Sequence, residues 1–254
     1  MRIEVAGRSH VGMKRNHNED AFLVLAEEQL YCVADGMGGH ASGEIASRIA
    51  IEELADFYRR TSKDVELTWP FKMDRALNYE ENRLATGIKL ANTRIYEAAN
   101  SDANYRGMGT TIVSLHFVEG CVYVGHVGDS RAYCLRDGAL RQMTEDHSLL
   151  NDYLKAKKLT AEEIDAFPHK NVIVRALGMK DSVQVDIERL EPRDGDLFLL
   201  CSDGLSGMVG EEALGAAVAG ASDLEATCAQ LIELANDAGG NDNVTCILAR
   251  YRAA

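Results

Sequence analysis

The sequence predicts an α+β domain in which helices pack on antiparallel sheets. Short apolar strand segments come in adjacent pairs, tight turn signals separate the members of two pairs, and amphipathic helical segments stand in blocks between the pairs. A wound βαβ sheet requires helices that alternate with single strands, and the pattern here does not alternate in that way. The chain has 254 residues, 46% of them hydrophobic, which is enough apolar material for a sizeable core.

The strand signals are short runs rich in β-branched and aromatic residues. In chain order they are Ala21–Ala26, Leu30–Ala34, Thr110–Val118, Cys121–Val127, Arg131–Leu135, Ala139–Met143, Val183–Leu190, Leu197–Cys201 and Val244–Tyr251. The dipeptides Glu119-Gly120 and Asp137-Gly138 stand between paired runs and predict two-residue hairpin turns. Two of the runs, Leu197–Cys201 and Val244–Tyr251, are apolar enough to be buried on both faces.

Helices and connections complete the predicted organisation. Apolar residues at helical spacing predict helices around Ile45–Phe57, Leu84–Ile95 and Cys228–Ala235. The segment Thr61–Arg83, with Trp69 at its centre, is predicted to be an extended connection. Lys155–Pro168 is polar and only weakly helical, which predicts a mobile flap beside the site. Because no Pro- or Ser-rich linker divides the chain, we expect a single domain over residues 1–254 with a flap subdomain at about 147–172.

Composition excludes several classes of function. The chain has 40 acidic and 27 basic residues and a formal net charge of -13, so it repels a nucleic-acid backbone. Its six cysteines form no C-x-x-C pair, which favours buried free thiols in a reducing compartment. Met1–Gly12 has no apolar core of signal-peptide length, and no run is long enough to span a membrane. We therefore expect a cytoplasmic protein with neither nucleic-acid nor membrane partners. We also expect it to be a monomer.

Acidic residues recur at predicted strand ends along the whole chain, several of them next to glycine. Such carboxylates can converge on one point and hold hard divalent cations. Each one alone is equally explained by an ordinary Gly/Asp turn, and only their joint occurrence favours a metal-dependent hydrolytic site. The acidic residues and their glycines are Glu19, Asp20, Asp35, Gly36, Asp129, Asp203, Gly204 and Asp242.

Two basic side chains stand close to these acids in the sequence. Arg15 precedes Glu19 by four residues, and its planar guanidinium suits phosphate oxygens. His40 ends the run Asp35-Gly36-Met37-Gly38-Gly39-His40 and is placed to protonate a leaving oxygen. A solvated turn around Arg15 and a structural glycine turn before His40 are the alternative interpretations. Covalent catalysis is disfavoured, because no cysteine lies in a phosphate-cradling loop and no G-x-S-x-G motif occurs.

As an ordered set, these motifs resemble the metal-dependent type 2C (PPM-type) serine/threonine protein phosphatases, in the compact form of the bacterial branch. The similarity runs from about Arg15 to Tyr251. Its motifs are R-x-x-N-E-D from Arg15, D-G-M-G-G-H from Asp35, G-M-G-T-T at 107–111, V-G-D-S-R-A-Y at 127–133, T-E-D-H-S at 144–148, S-D-G-L at 202–205 and G-G-N-D-N-V-T at 239–245.

The resemblance implies a four-layer αββα fold, a sandwich of two antiparallel sheets flanked on both sides by helices. It also implies two Mn²⁺ or Mg²⁺ ions and a third, weaker metal position. In this arrangement Asp35 bridges the two ions, Asp203 and Asp242 bind one of them, and the Gly36 carbonyl binds the other. Glu19 and Asp20 hold metal-bound waters or ligate directly, and Asp129 serves the third position together with Asp203.

The implied reaction is hydrolysis of phosphoserine and phosphothreonine in proteins, with a bridging hydroxide attacking phosphorus directly. Arg15 would clamp the phosphoryl oxygens, and His40 would protonate the departing oxygen. The implied partners are phosphorylated proteins, including a serine/threonine kinase that the enzyme opposes. A catalytically silent binding module would be expected to lack Arg15 or a metal aspartate, and this chain retains them all. A hydrolase of small phosphate esters would share every catalytic residue, so that alternative stays open.

Overall fold

Two antiparallel sheets pack face to face in the computed structural model, and helices cover both outer faces. The structure describes residues 1–39, 42–64, 66–118, 120–156 and 172–253. Within them, the predicted α+β sandwich with four layers is confirmed. None of the helices in these ranges is long and apolar enough to cross a membrane.

The strands form one five-stranded and one six-stranded sheet. Their bounds are β1 Arg2–His10, β2 Asp20–Leu25, β3 Leu30–Met37, β4 Gly109–Thr110, β5 Ile112–Val118, β6 Cys121–Val127, β7 Arg131–Arg136, β8 Ala139–Gln142, β9 Asp186–Leu190, β10 Leu197–Cys201 and β11 Val244–Arg252. Sheet I has the strand order β1-β11-β10-β7-β8. Sheet II has the order β2-β3-β5-β6-β9, and β4 pairs with the end of β3.

Alternation along the central strands builds the core between the sheets. In β10, Phe198 and Leu200 point into the space between the sheets, whereas Leu197 and Leu199 point toward the helices outside sheet I. Successive strand residues face opposite sides of a sheet, so a strand between two apolar layers needs apolar residues at every position. This explains why β10 is a continuous apolar run, as predicted, and why all five of its residues are buried.

The helices form the two outer layers. Their bounds are α1 Ser42–Lys63, α2 Tyr79–Ser101, α3 Leu149–Ala156, α4 Asp203–Ser206, α5 Glu211–Ala219 and α6 Leu224–Asp237. Helices α1 and α2 pack on sheet II, and α5 and α6 pack on sheet I. Helix α2 begins at a capping box, in which the Asn78 side chain accepts from the Glu81 N–H and the Glu81 side chain accepts from the Asn78 N–H.

Strand β1 and helix α5 were not predicted from the sequence, and elsewhere the structure differs from the predictions mainly at element ends. The extended connection predicted over Thr61–Arg83 is wrong at both ends, because α1 runs to Lys63 and α2 begins at Tyr79. Between them Trp69 packs its ring 5.6 Å from Phe57 and 5.2 Å from Tyr79, measured between centroids. Trp69 therefore anchors the connection on both helices, against the core that they cover.

The hairpin turns and the flap were predicted from local sequence. Asp137 and Gly138 both have left-handed φ angles, 52° and 79°, as a tight turn between β7 and β8 requires. Glu119 of the other predicted turn lies outside the described residues. The first part of the predicted flap is helix α3, and the rest of it, residues 157–171, also lies outside the described part of the chain.

Candidate metal centre

Carboxylates from both sheets meet at strand ends. Asp20 opens β2 and lies directly opposite Asp35 of β3 in the antiparallel register of sheet II. In sheet I, Asp203 follows β10 as the first residue of α4, and Asp242 precedes β11. Asp129 lies in the turn between β6 and β7. Acids more than 200 positions apart in sequence are thus neighbours because the two sheets pack together.

Two adjoining cavities contain most of the predicted site residues. The first, of about 180 Å³, is lined by Arg15, Glu19, Asp35, Gly36, Met37, Gly38, Ile173, Asp203 and Asp242. The second, of about 360 Å³, shares Asp203 and Asp242 with the first and is also lined by Asp129. Asp20 lines neither of these two and is buried, with its Oδ2 accepting from Ser202 Oγ at 2.8 Å. His40 lies outside the described residues.

The carboxylates strongly perturb one another. Burial, reinforced by the charges of Asp203 and Asp242, raises the pKa of Asp20 to about 7. Burial and the charge of Asp203 raise the pKa of Asp129 to about 7 as well. The pKa of Asp35 is raised well above its usual range by burial and by the neighbouring acids Asp20, Asp203 and Asp129. These carboxylates repel one another when all are charged, and bound cations would reduce that repulsion.

Two buried oxygen atoms provide a direct test of whether a metal fits. Among the described residues, Asp20 Oδ1 and Asp129 Oδ1 are buried side-chain atoms without a hydrogen-bond partner. An unpartnered buried carboxylate oxygen is costly unless a cation or a bound water satisfies it. Hard oxygen donors are what Mn²⁺ and Mg²⁺ prefer, so the residues present fit divalent cations.

Arg15 is held at the edge of the first cavity by a predicted metal ligand. Its Nη2 donates to Asp242 Oδ2 at 2.7 Å, and about half of its side chain is exposed. An exposed ion pair of this kind contributes little to stability, so it exchanges partners readily. The guanidinium can therefore reach an anion in the cavity while it stays next to the acids.

The N-terminal end of helix α1 approaches β3 very closely. A Cβ on Gly36 would lie 2.1 Å from the carbonyl oxygen of Gly43 and 2.5 Å from that of Glu19, so only glycine fits. The Gly43 N–H donates to Glu19 Oε1 at 3.1 Å, in the first turn of α1. A carboxylate at a helix N-terminus is favoured by the helix dipole, and this bond fixes the direction of the Glu19 side chain.

Several residues that orient the acidic residues through hydrogen bonds to their backbone were not predicted as site residues. Thr111 Oγ1 accepts from the Asp35 N–H at 3.0 Å and lies 2.7 Å from Ser130 Oγ, next to Asp129. Asn243 Oδ1 accepts from the Glu19 N–H at 2.8 Å. Both belong to the motifs at 107–111 and 239–245, and that motif membership is the only signal in the sequence that could have identified them.

An ion pair borders the second cavity. Arg131 donates to Asp146 through both Nε, at 2.9 Å to Oδ1, and Nη2, at 2.7 Å to Oδ2. This two-point geometry fixes the planes of both groups. Asp146 was not predicted as a site residue. Because Arg131 already neutralises it, its carboxylate forms part of the cavity wall and is not a free ligand.

Comparison with known proteins gives one consistent result. The sequence model of the family described as protein phosphatase 2C matches residues 6–249. The chain is 34% identical over 249 residues to protein phosphatase PhpP of Streptococcus pneumoniae serotype 2, covering 97% of this chain and 96% of PhpP. The Mycobacterium tuberculosis serine/threonine phosphatase PstP/Ppp has a similar crystal structure, with a TM-score of 0.86, 34% identity and 99% of both chains covered.

A second solved structure bears on the metal. The catalytic domain of PstP in complex with two manganese ions is similar with a TM-score of 0.82 and 33% identity, again over 99% of both chains. Matches of this extent, together with the cluster of buried carboxylates, show that the chain belongs to the protein phosphatase 2C family of metal-dependent serine/threonine protein phosphatases.

Proposed function

We propose that this phosphatase uses two Mn²⁺ or Mg²⁺ ions and direct attack of water on phosphorus, without a covalent phosphoenzyme. The observation that carries the proposal is the convergence of Asp35 and Asp203 on one cavity, with Asp20 buried directly opposite Asp35. Burial raises the pKa values of all three carboxyl groups. When bound, such ions supply an activated water and offset the charge of the phosphoryl group. The two manganese ions in the similar PstP domain support a count of two.

Different residues of the protein would bind the two ions. We assign Asp35 to a bridging position, since its carboxyl group is close enough to Asp20 of sheet II and to Asp203 of sheet I for both to raise its pKa. Asp203 and Asp242, both from sheet I, would bind one ion. On the side of sheet II, the Gly36 carbonyl and Glu19 would serve the other ion or its waters.

The two carboxylates with an unpartnered oxygen have separate roles. Asp20 Oδ2 is engaged by Ser202, which leaves Oδ1 for an ion or for a water bound to it. Asp129 lies in the neighbouring cavity and would form the third, weaker position together with Asp203.

Arg15 and His40 act on the substrate. The Arg15 guanidinium lies on the first cavity next to Asp242 and would bind the phosphoryl oxygens. His40 directly follows the glycine turn that leads from β3 to α1, and it would give a proton to the departing serine or threonine oxygen. Since that oxygen is a poor leaving group, its protonation is where an acid helps most.

The setting that we propose is a cytoplasmic monomer made of one catalytic domain over residues 1–254, with a flap at about 147–172. Its substrates would be phosphorylated proteins, among them a serine/threonine kinase that it opposes. The relatives named as serine/threonine phosphatases support a protein substrate. Small phosphate esters remain the second candidate substrate class, because they need the same catalytic groups.

The bridging role is tested by Asp35→Asn, with Asp237→Asn at the exposed end of α6 as the matched control. Groups that only orient a ligand commonly contribute about 10- to 100-fold to activity, so losing the bridging ligand should reduce Mn²⁺-dependent hydrolysis of p-nitrophenyl phosphate by more than about 100-fold. Circular dichroism checks the fold. Near-normal turnover in Asp35→Asn would refute the dinuclear proposal.

The role of His40 is tested by comparing leaving groups. His40→Ala should slow hydrolysis of a phosphoserine peptide by about 10²-fold or more, yet change hydrolysis of p-nitrophenyl phosphate far less, because nitrophenolate leaves without a proton. His17→Ala, an exposed histidine of the loop before β2, is the control. Equal losses on both substrates would remove His40 from the role of acid.

The substrate class is tested in cells. A phosphoproteome from cells that carry Asp35→Asn should accumulate phosphoserine and phosphothreonine proteins, including a kinase, relative to the wild type. An unchanged phosphoproteome with accumulated small phosphate esters would favour the second candidate.

A further inference from the structure

A buried histidine holds the turn that carries Asp129. The backbone N–H of Gly128 donates to the ring atom Nδ1 of His147 at 3.0 Å. In return, the backbone N–H of His147 donates to the Gly128 carbonyl at 2.9 Å. Gly128 has a φ of 113°, and a Cβ there would lie 2.6 Å from Thr111 Cβ. The peptide unit that leads into Asp129 is therefore fixed by His147 on one side and by Thr111 on the other.

The ring of His147 is itself fixed in orientation and tautomer. Because Nδ1 accepts from Gly128, the proton of the neutral ring is on Nε2, which donates to Asp186 Oδ2 at 3.1 Å. Burial lowers the pKa of His147, which favours this neutral form. The His126 ring stacks on it at 4.7 Å with 17° between the planes. An acid on β9 therefore controls which nitrogen faces the site.

These side chains also have the composition of a metal site, but their surroundings oppose that function. Ligand atoms of His126, His147 and Asp186 lie within 4.8 Å of one another. However, Arg175 Nη1 lies 2.7 Å from Asp186 Oδ1 and 3.0 Å from His147 Nε2. A guanidinium in that position supplies the positive charge that the acid needs and repels a cation. The cluster therefore orients His147.

His147 also connects the Asp129 turn to the segment that follows residues 157–171. The Val174 N–H donates to the His147 carbonyl at 2.9 Å, and Ser148 forms a β-bridge with Ile173. Ile173 lines the first cavity beside Asp35 and Asp203. One residue thus joins a proposed metal position to a wall of the cavity.

We propose that His147 is a positioning residue of the phosphatase: through its bond to Gly128 it directs the Asp129 carboxylate toward Asp203, and Asp186 and Arg175 hold its ring for that purpose. The inference rests on the proposed role of Asp129 in the third metal position. His147 touches neither substrate nor ion, so its effect should appear in the affinity of the weakest Mn²⁺ site.

Two substitutions of similar size separate the two ring nitrogens. In His147→Asn the amide oxygen takes the place of Nδ1 and keeps the bond from Gly128, whereas in His147→Gln the amide reaches only the place of Nε2. Isothermal titration with MnCl₂ should show the weakest site weakened about 10- to 100-fold in His147→Gln, and about threefold or less in His147→Asn. The tighter sites should be unchanged in both variants. Turnover of His147→Gln should recover at high Mn²⁺ concentration.

A second pair of variants leaves His147 in place. Asp186→Ala frees the ring and should weaken the same site about tenfold, whereas Asp186→Asn still accepts from Nε2 and should weaken it less. Glu188→Ala, at a half-buried position on the same strand, is the control and should leave Mn²⁺ binding unchanged. These variants test the proposal even if the His147 variants fail to fold.

The outcomes separate this inference from the proposed function. If His147→Asn and His147→Gln weaken the site equally, or if neither does, the positioning role is refuted. If Asp129→Asn leaves all Mn²⁺ sites intact, the proposed third position itself is wrong. If Asp129→Asn removes the weakest site while His147→Gln and Asp186→Ala retain it, only the inference about His147 fails.

Discussion

Neutral side chains aim the carboxylates of this phosphatase. Thr111 Oγ1 accepts from the backbone N–H of Asp35, 76 residues earlier, and the Thr111 N–H donates to the Asp35 carbonyl at 2.9 Å. Asn243 holds Glu19 in the same way across 224 residues. The acids themselves could be predicted, because carboxylates next to glycine at strand ends are visible in the sequence. Their supports were not predicted, since a bond between a side chain and a distant backbone leaves no local pattern, and only the membership of Thr111 and Asn243 in the family motifs points to them.

The first prediction concerns Thr111. Thr111→Val keeps the shape of the side chain but leaves the Asp35 N–H without its partner, which should lower the free energy of unfolding by about 1–3 kcal/mol. Thr111→Ser retains the hydroxyl and should lose less than half as much. Urea unfolding of both variants measures the difference. If Thr111→Ser is as destabilised as Thr111→Val, the methyl group and not the hydroxyl bond is what matters.

At the scale of elements, the sequence predicted the strands that are buried on both faces of a sheet and missed a helix that buries few side chains. Strands β10 and β11 lie between apolar layers, so their continuous apolar runs identified them. Helix α5 was not predicted because it consists largely of alanine and glycine. Only Leu214, Ala217 and Val218 are buried, so its sequence shows no clear apolar face. Helix ends were misplaced at Lys63 and Tyr79, because tertiary contacts of the Trp69 segment, and not local sequence, set the connection.

Two helix glycines differ in what surrounds them, and this gives the second prediction. A Cβ on Gly215 in α5 has no atom nearer than 3.7 Å, so Gly215→Ala should stabilise the protein by about 0.5–1 kcal/mol through helix propensity. A Cβ on Gly87 in α2 would lie 2.6 Å from Leu54 Cδ1 of α1, which is fully buried. Gly87→Ala should therefore destabilise by about 1–3 kcal/mol despite the same gain in propensity.

Thermal or urea unfolding of the two glycine variants side by side checks this, and phosphatase activity should stay unchanged in Gly215→Ala. Stabilisation by both substitutions would show that the α1–α2 contact yields to an added methyl group and does not set the helix spacing.

At the scale of the whole molecule, the site joins the two sheets. Asp20 and Asp35 come from sheet II and Asp203 and Asp242 from sheet I, and the bond from Ser202 Oγ to Asp20 Oδ2 crosses between them. The sandwich itself was predictable from hairpin pairs and, by family resemblance, from the motif order. The mutual repulsion of the acids could not be predicted from the sequence, because it depends on how closely the two sheets approach each other.

The third prediction follows from that repulsion. A cation that binds only the folded protein at about 100 times its Kd adds about 2.7 kcal/mol of stability. For a protein of this size each kcal/mol raises the melting temperature by about 2–4 °C, so saturating MnCl₂ should raise it by roughly 5–10 °C above the value in EDTA. Asp35→Asn should lose most of this shift, whereas Asp237→Asn should keep it. An equal shift in Asp35→Asn would place the stabilising ion elsewhere.

The pH dependence of that shift has a definite sign. In their proposed metal-binding roles, Asp20 and Asp129 would have to lose their protons, and both have a pKa raised to about 7, so protons should compete with Mn²⁺ below that pH. The shift at a fixed, subsaturating MnCl₂ concentration should therefore be larger at pH 8 than at pH 6.

In EDTA, where no ion is bound, the stability of the protein itself should change with pH in the opposite direction. A carboxyl whose folded pKa lies above its unfolded value of about 4 contributes stability below that value, and the contribution is lost as the pH rises through about 7. The chelated protein should thus melt at a higher temperature at pH 5.5 than at pH 8, and a chelated protein that becomes more stable over this range would contradict the raised pKa values of Asp20 and Asp129.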